Sequence, residues 1–197
     1  MPRNATIEGL LDSVHIALLK PKGFVKRSGR SESREAPFHR AVTVLAARTN
    51  TNALAEFDLN LVVAHDDFNP YASEGVRSGI GQQNDCLARV RLRLLAGLTD
   101  PYYWQVCSSE PTSVLAQRLL EAFSTYALPV LDRMRTLEGI AEFFASQDPK
   151  RHLLSRLWVL KKIGMHAEAG RIAEMAIQDA PVDKRKAINA LIARAEA

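Results

Sequence analysis

Cysteine is nearly absent from this chain: Cys86 and Cys107 are the two in 197 residues. Neither has a second thiol or a histidine at metal-ligand spacing, so the pattern signals no zinc site, no disulfide framework and no cofactor. A reducing cytoplasm is the expected setting. Also absent is any apolar window approaching the roughly 18 residues of a membrane span. The opening stretch, Met1–Val14, turns amphipathic at once, which speaks against a leader or an anchor. With 47% hydrophobic residues, the chain has enough apolar material for a core that needs no metal or disulfide staple.

A strong excess of one charge is lacking too, since the net charge is +4, but the distribution is uneven. Lys20, Lys22, Lys26, Arg27, Arg30 and Arg34 follow one another with a single acid, Glu32, among them. The C-terminal stretch repeats the bias with Lys150, Arg151, Arg156, Lys161, Lys162, Arg171, Lys184, Arg185 and Lys186, while the middle, from Glu56 to Asp100, leans acidic. Such clusters fit a solvated surface with cations near helix ends, where they suit the macrodipole. They also fit a face that meets a phosphate backbone. On that second reading the binding residues are Lys20, Lys22, Lys26, Arg27 and Arg30.

Hydrophobic periodicity supplies the fold class. Ile7, Leu10, Leu11, Val14 and Leu18 recur at helical spacing behind Asn4 or Thr6 as cap, and Pro21 with Gly23 ends that helix. His15 sits at the border of the apolar stripe. From about His39 to Ala47 the chain is rich in Val, Thr and Leu and predicts a strand. In Glu56 to Val63 the residues Phe57, Leu59, Leu61 and Val63 alternate with Glu56, Asp58 and Asn60, as a half-buried strand requires. A third alternation sets Val90, Leu92 and Leu94 inward and Arg89, Arg91 and Arg93 outward. A fourth, Tyr103 to Cys107, follows the turn Thr99-Asp100-Pro101. One-sided strands belong to antiparallel sheets. The expectation is therefore an α+β fold: a mainly antiparallel sheet of about four strands covered by helices on one face, followed by a C-terminal helical segment. Between the second and third strands, Asp66 to Asp85 contains Asn69-Pro70, Gly75, Gly79 and Gly81, and is expected to be a flexible loop, since it lacks the lysine and hydroxyl of a phosphate loop.

From Ser113 the chain turns helical. Leu115, Leu119, Leu120 and Phe123 share a face, a bend or stop is expected near Leu128-Pro129, and a short helix follows over Leu137 to Ala145. Gln147-Asp148-Pro149 is the clearest boundary signal, giving an α+β domain over 1–148 and a helical subdomain over 149–197. Three helices are expected there, at about 151–163, 166–179 and 183–195. Gly164, Ala169, Ala176 and Pro181 have the spacing of the turn and second helix of a tetratricopeptide repeat. A single such repeat must pack on the body or on another chain.

Leu19-Lys20-Pro21-Lys22-Gly23-Phe24, the charged run after it and then Ala55 to Leu61 resemble the opening of a bacterial family known as domain of unknown function 4304. That family's pattern is a helix closed by a leucine-proline-glycine-phenylalanine turn, then a phenylalanine-x-valine-asparagine-leucine strand. Phe57, Leu59, Asn60 and Leu61 stand in the matching positions. The arginine strand at 89–93, followed by Tyr102-Tyr103-Trp104, is a third point of similarity. The resemblance spans about residues 7–146 and implies a helix, antiparallel strands, then helices. It brings no catalytic residues and leaves the tail beyond Pro149 as an addition.

No local catalytic constellation stands out. His65-Asp66-Asp67 is the compact cluster of metal-type ligands, but adjacent residues point in different directions, so it is expected to be an acidic turn with no metal. Cys107-Ser108-Ser109 and the scattered His39, His65, His152 and His166 form no nucleophile motif. The polar side of the sheet is more informative. Glu56, Asp58 and Asn60 on one strand would face Arg89, Arg91 and Arg93 on another, with Trp104 at the margin. Opposed charges hold a strand register, and exposed arginine and aromatic groups are enriched at binding hot spots. The leading expectation is a non-enzymatic protein-binding module of the immunity or accessory kind, with a partner or a second copy docking on that face or on the C-terminal helices. Nucleic-acid binding through the basic segments is the alternative, and a metal-dependent hydrolase centred on His65, Asp66 and Asp67 is the third reading.

Overall fold

Strand alternation from Leu54 to His65 builds the strand around which the sheet is assembled. The computed structural model describes residues 5–27, 29–47, 50, 54–68, 86–98, 104–107, 111–148 and 151–195. Within them lie β1 (Val25–Arg27), β2 (Arg30–Glu35), β3 (Phe38–Ala46), β4 (Leu54–His65), β5 (Ala88–Arg91) and β6 (Trp104–Cys107). The order is β1-β2-β3-β4-β5, and β6 also pairs with β4. The pairs β1/β2, β2/β3 and β4/β6 are antiparallel. The α+β expectation holds, with two more strands than the apolar alternation reveals. The loop expected over 66–85 and the residues Tyr102, Tyr103 and Thr99-Asp100-Pro101 lie largely or wholly outside the described residues.

Two of the alternations need correction. β4 is not half-buried: every residue from Phe57 to His65 is buried. It is flanked by β3 on one edge and by β5 and β6 on the other, so Asp58 and Asn60 are enclosed rather than solvated. The arginine strand ends early. β5 stops at Arg91, and Leu92–Leu95 form a single helical turn, α2. Leu98 N–H donates to Arg93 O and Gly97 N–H to Leu94 O, a helix-ending motif that needs the left-handed conformation Gly97 adopts at φ +71°. The turn throws Leu94 outward and draws Arg93 inward, the reverse of the expected arrangement.

The chain divides into two compact units, and not at 148/149. One comprises Met1–Val63 and Arg89–Leu131, the other Ala64–Ala88 and Asp132–Ala197. In the first, α1 (Ala5–Val14) continues into a π-helical turn, His15–Leu19, and a 3-10 turn, Lys20–Lys22. The π turn adds a residue to the helical repeat, so the buried stripe runs Ile7, Leu10, Val14 and then Leu19, with His15 buried beside it. Helix α1 packs on α3 (Thr112–Ala122). Helix α3 does not stop near Pro129 as expected. It passes through a second π turn, Phe123–Ala127, into α4 (Leu128–Arg133), with Leu128 N–H donating to Phe123 O. The wider turn lets the chain accept a proline that cannot supply its own N–H.

In the second unit α5 (Leu137–Ala145) packs on α6 (Leu153–Lys162), which explains why the expected boundary between them fails. Helices α7 (His166–Gln178) and α8 (Val182–Arg194) complete the three helices expected of the tail. Gly164 at φ +78° closes α6, and Met165 N–H reaches back to Leu160 O. Leu153, Leu157, Leu160, Ala169, Ile172 and Ala195 form the core of the tail, and α8 packs on both α6 and α7. Among the described residues no helix is long and apolar enough to cross a membrane.

The first unit carries its main electrostatic constraint at Asp58 and Arg93, which are 0% and 2% exposed in their side chains, with Oδ2 and Nε 3.0 Å apart. Asp58 Oδ1 accepts from Leu59 N–H at 2.8 Å and from Arg93 N–H at 3.4 Å. Burial pushes the Asp58 carboxyl above its ordinary value, against the pull of those two N–H groups and of the Arg93 and Arg91 charges. Removing one partner from a buried pair costs more than removing both. Asp58→Asn should lower the unfolding free energy by about 3–5 kcal/mol. The double variant Asp58→Leu with Arg93→Met should lose clearly less in the same urea titration. A larger loss in the double variant would mean that packing, rather than the stranded charge, sets the cost.

Candidate functional site

The hairpin β1–β2 carries the densest arrangement of charged side chains in the first unit. Its register is Val25 opposite Glu32, Lys26 opposite Ser31 and Arg27 opposite Arg30, with Gly29 at φ +72° in the turn. Residues opposite one another project to the same side, and alternate residues of a strand share a face. One face therefore carries Val25, Arg27, Arg30, Glu32 and Arg34, and the other carries Lys26, Ser31 and Ser33.

On the first face Glu32 is the centre. Its side chain is 1% exposed, and the Nε atoms of Arg27, Arg30 and Arg34 lie 3.2, 3.0 and 3.1 Å from its oxygens. The three arginines are 59%, 27% and 54% exposed in their side chains. The carboxylate thus forms a covered floor, and the guanidinium groups stand over it with their outer ends toward solvent. Three cations over one anion leave a local charge of +2.

On the other face His15 Nδ1 and Ser31 Oγ share a hydrogen bond of 2.9 Å, and Lys26 is ion-paired with Asp12. A serine, a histidine and an aspartate stand close together, yet the arrangement does not suit nucleophilic catalysis. The aspartate serves the lysine, Ser31 is buried, and the adjoining cavity, lined by Leu11, Val14, Leu19, Lys26, Ser31 and Val42 among others, measures about 10 Å³. That is room for one water and no substrate.

Arg40 is a third buried cation on the helix-covered side. Its guanidinium donates to Ser33 Oγ, Glu35 Oε2 and Leu131 O at 3.2, 3.2 and 3.3 Å and lies 5.2 Å from the Phe24 ring centre. These contacts tie β3 to the end of α4 and mark Arg40 as structural.

The residues expected on a charged sheet face divide sharply. Asp58, Asn60, Arg93 and Trp104 are buried, while Glu56, Arg89 and Arg91 are half-exposed. Glu56 accepts from Gln105 Nε2 at 2.8 Å across the β4/β6 pair. The structure does not bring these seven together on an open surface. Of the basic set, Lys26 lies on Asp12, Arg27 and Arg30 lie on Glu32, and Lys20 is exposed just before the hairpin, with Lys22 half-buried beside it. Arg34 belongs to the same cluster and was legible only as one more cation in the run.

In the second unit His65 Nδ1 accepts from Asp67 N–H at 3.1 Å, and Phe68 N–H donates to His65 O at 3.0 Å. The His65-Asp66-Asp67 cluster is therefore a turn, with the imidazole edge against Trp158 at 5.1 Å. Among the described residues no group of three histidine, cysteine or carboxylate side chains converges as a metal site. The basic tail is largely committed: Arg171 binds Glu168 through two bonds of 2.6 and 2.8 Å, Arg185 donates to Ala180 O, and Lys162 lies over Trp158. Arg156 is different. It is buried, its Nη1 has no hydrogen bond among the described residues, and burial followed by the Arg171 charge lowers its pKa against the pull of Glu168.

Two predictions test these assignments. Burial, then the Lys26 ammonium and Lys20, hold the His15 imidazole below its ordinary 6.5, with Asp12 opposing. The unfolded chain gains a proton near 6.5 that the folded chain refuses. This contribution to stability is therefore whole above about pH 6.5 and falls as the pH drops below it. Denaturant titrations between about pH 7 and about pH 5.5 should show that fall in the parent protein and flatten it in His15→Gln; parallel curves would assign it to another group. Arg156→Met, which keeps the apolar stem and removes a poorly satisfied charge, should leave stability unchanged or raise it by about 1 kcal/mol or more. A fall of that size in the thermal or urea transition would show that the charge is compensated.

No protein-family model matches the chain, and neither a curated protein nor a solved structure matches it. What the molecule does has to be argued from the geometry of its own residues.

Proposed function

We propose that this chain is a non-catalytic nucleic-acid-binding protein whose contact surface is the β1–β2 hairpin. One observation carries the reading: Arg27, Arg30 and Arg34 stand at fixed positions over a buried carboxylate, with their outer ends exposed. Arginine presents paired N–H donors that match phosphate oxygens, and ordering it beforehand removes part of the entropy that binding would otherwise cost. Lys20, exposed immediately before the hairpin, extends the positive surface. A sequence isoelectric point near 9.2 favours approach to a polyanion.

The protein-binding reading has less support from the geometry, because Asp58, Asn60, Arg93 and Trp104 are enclosed and the remaining three form no continuous face. An enzymatic reading would need a substrate space beside His15 and Ser31, where there is room for a water.

The test is affinity for a short single-stranded oligonucleotide across a potassium chloride series. Each arginine that displaces a counterion contributes about 0.7 to the slope of log affinity against log salt. The Arg27→Gln, Arg34→Gln double variant changes two exposed side chains and should keep the fold by circular dichroism. It should weaken binding and flatten the slope by about 1.4. Absence of binding by the parent protein at low salt, or a slope indifferent to both substitutions, would overturn the reading.

A further inference from the structure

The hairpin's cations are not laid out as a track. A phosphate backbone presents its charges one after another along the strand, so a protein that follows it spreads its cations along a groove. Here the Nε atoms of Arg27, Arg30 and Arg34 all sit 3.0–3.2 Å from the two oxygens of one carboxylate. Three guanidinium groups that share one carboxylate are close enough together to share one further oxyanion on their outer side.

The charge balance points the same way. The cluster of three arginines and Glu32 carries +2. An internal phosphodiester carries a single negative charge, whereas a phosphomonoester carries about −1.5 to −2 at pH 7 and offers three acceptor oxygens. Each guanidinium uses its Nε on Glu32, and none of the three arginines has another partner among the described residues. The outer nitrogens are thus directed at the side from which an anion would arrive. Val25, opposite Glu32 on β1 and 55% exposed, gives the same face an apolar neighbour against which a sugar or base could rest.

We propose that the Arg27, Arg30 and Arg34 cluster is a receptor for a single terminal phosphate of a nucleic-acid strand and prefers that monoester to the internal diesters. This rests on the nucleic-acid reading above and adds to it a substrate class, strand ends. Glu32 is a positioning residue, which holds the three guanidinium groups together and lowers the local charge to match a dianion.

The experiment compares oligonucleotides of one sequence bearing a 5′-phosphate, a 3′-phosphate or hydroxyl groups at both ends. Binding is read by fluorescence anisotropy, with a phosphoserine peptide as competitor. One or both phosphorylated strands should bind about tenfold or more tightly than the hydroxyl form, as one added charge-assisted contact allows. Which strand gains identifies the end recognised. The preference should shrink as the pH falls through about 6, where the monoester takes up its second proton, and should vanish in Arg34→Gln while residual binding persists. Equal affinity for all three strands, with the hairpin substitutions still weakening each, would overturn the end preference and leave the nucleic-acid reading standing. No binding of any strand would remove both. Competition by the phosphopeptide equal to that of the phosphorylated strand would overturn the assignment to nucleic-acid ends in favour of a phosphoprotein ligand.

Discussion

A charge can leave water only when other charges and dipoles replace the hydration it gives up. The sheet of this protein depends on that constraint at three places. Asp58 is met by Arg93 and by two backbone N–H groups, Arg40 by a hydroxyl, a carboxylate and a carbonyl, and Glu32 by three arginines. Each arrangement ties together parts of the chain far apart in sequence. Asp58 and Arg93 join β4 to the turn after β5, and Arg40 joins β3 to the end of α4. Apolar contacts bury the surface, while these polar contacts are more selective about which strand lies beside which, because a slip of one residue would strand a buried charge.

The difference between Asp58 and Glu32 separates structure from function in this sheet. Both are enclosed carboxylates held by arginine. The guanidinium of Arg93 is as deeply enclosed as its partner, so nothing from outside can use it. The arginines around Glu32 are anchored at one end and open at the other. An anchored cation with an exposed end is suited to recognition, because its position is set before any ligand arrives.

Much of the architecture was legible because apolar residues repeat at the period of the element they build. Phe57, Leu59, Leu61 and Val63 mark β4, and Leu153, Leu157 and Leu160 mark α6. The β1–β2 hairpin was not legible, because Arg30-Ser-Glu-Ser-Arg-Glu35 buries serines and a glutamate where a strand ordinarily shows valine or isoleucine. Its basic run was visible as charge without shape: the cations could be counted, but their convergence on Glu32 is a property of the pairing Val25 to Glu32. Arg93 misled for a related reason. Alternation continues through Leu94 on paper, yet Gly97 permits a helix-ending turn that withdraws the last arginine from the surface. Asp58 and Asn60 were taken as solvent-facing because period-two patterns specify that a strand has two different sides, and a polar side buried against its own counter-charges has the same pattern as a wet one.

The two π turns have a bearing on how the chain can change over time. His15–Leu19 and Phe123–Ala127 each hold one residue more than a regular helix would use over the same rise. Successive helical residues are about 100° apart around the axis, so deleting a single residue from either turn would relax the local hydrogen bonding and rotate the rest of that helix by about that angle. Past the first turn, Leu19 would leave the core and the entry into β1 would be misdirected; past the second, Leu131 would swing away from Arg40. These short stretches are therefore length-locked: substitution can be absorbed there, but a gain or loss of one residue would be felt across the sheet.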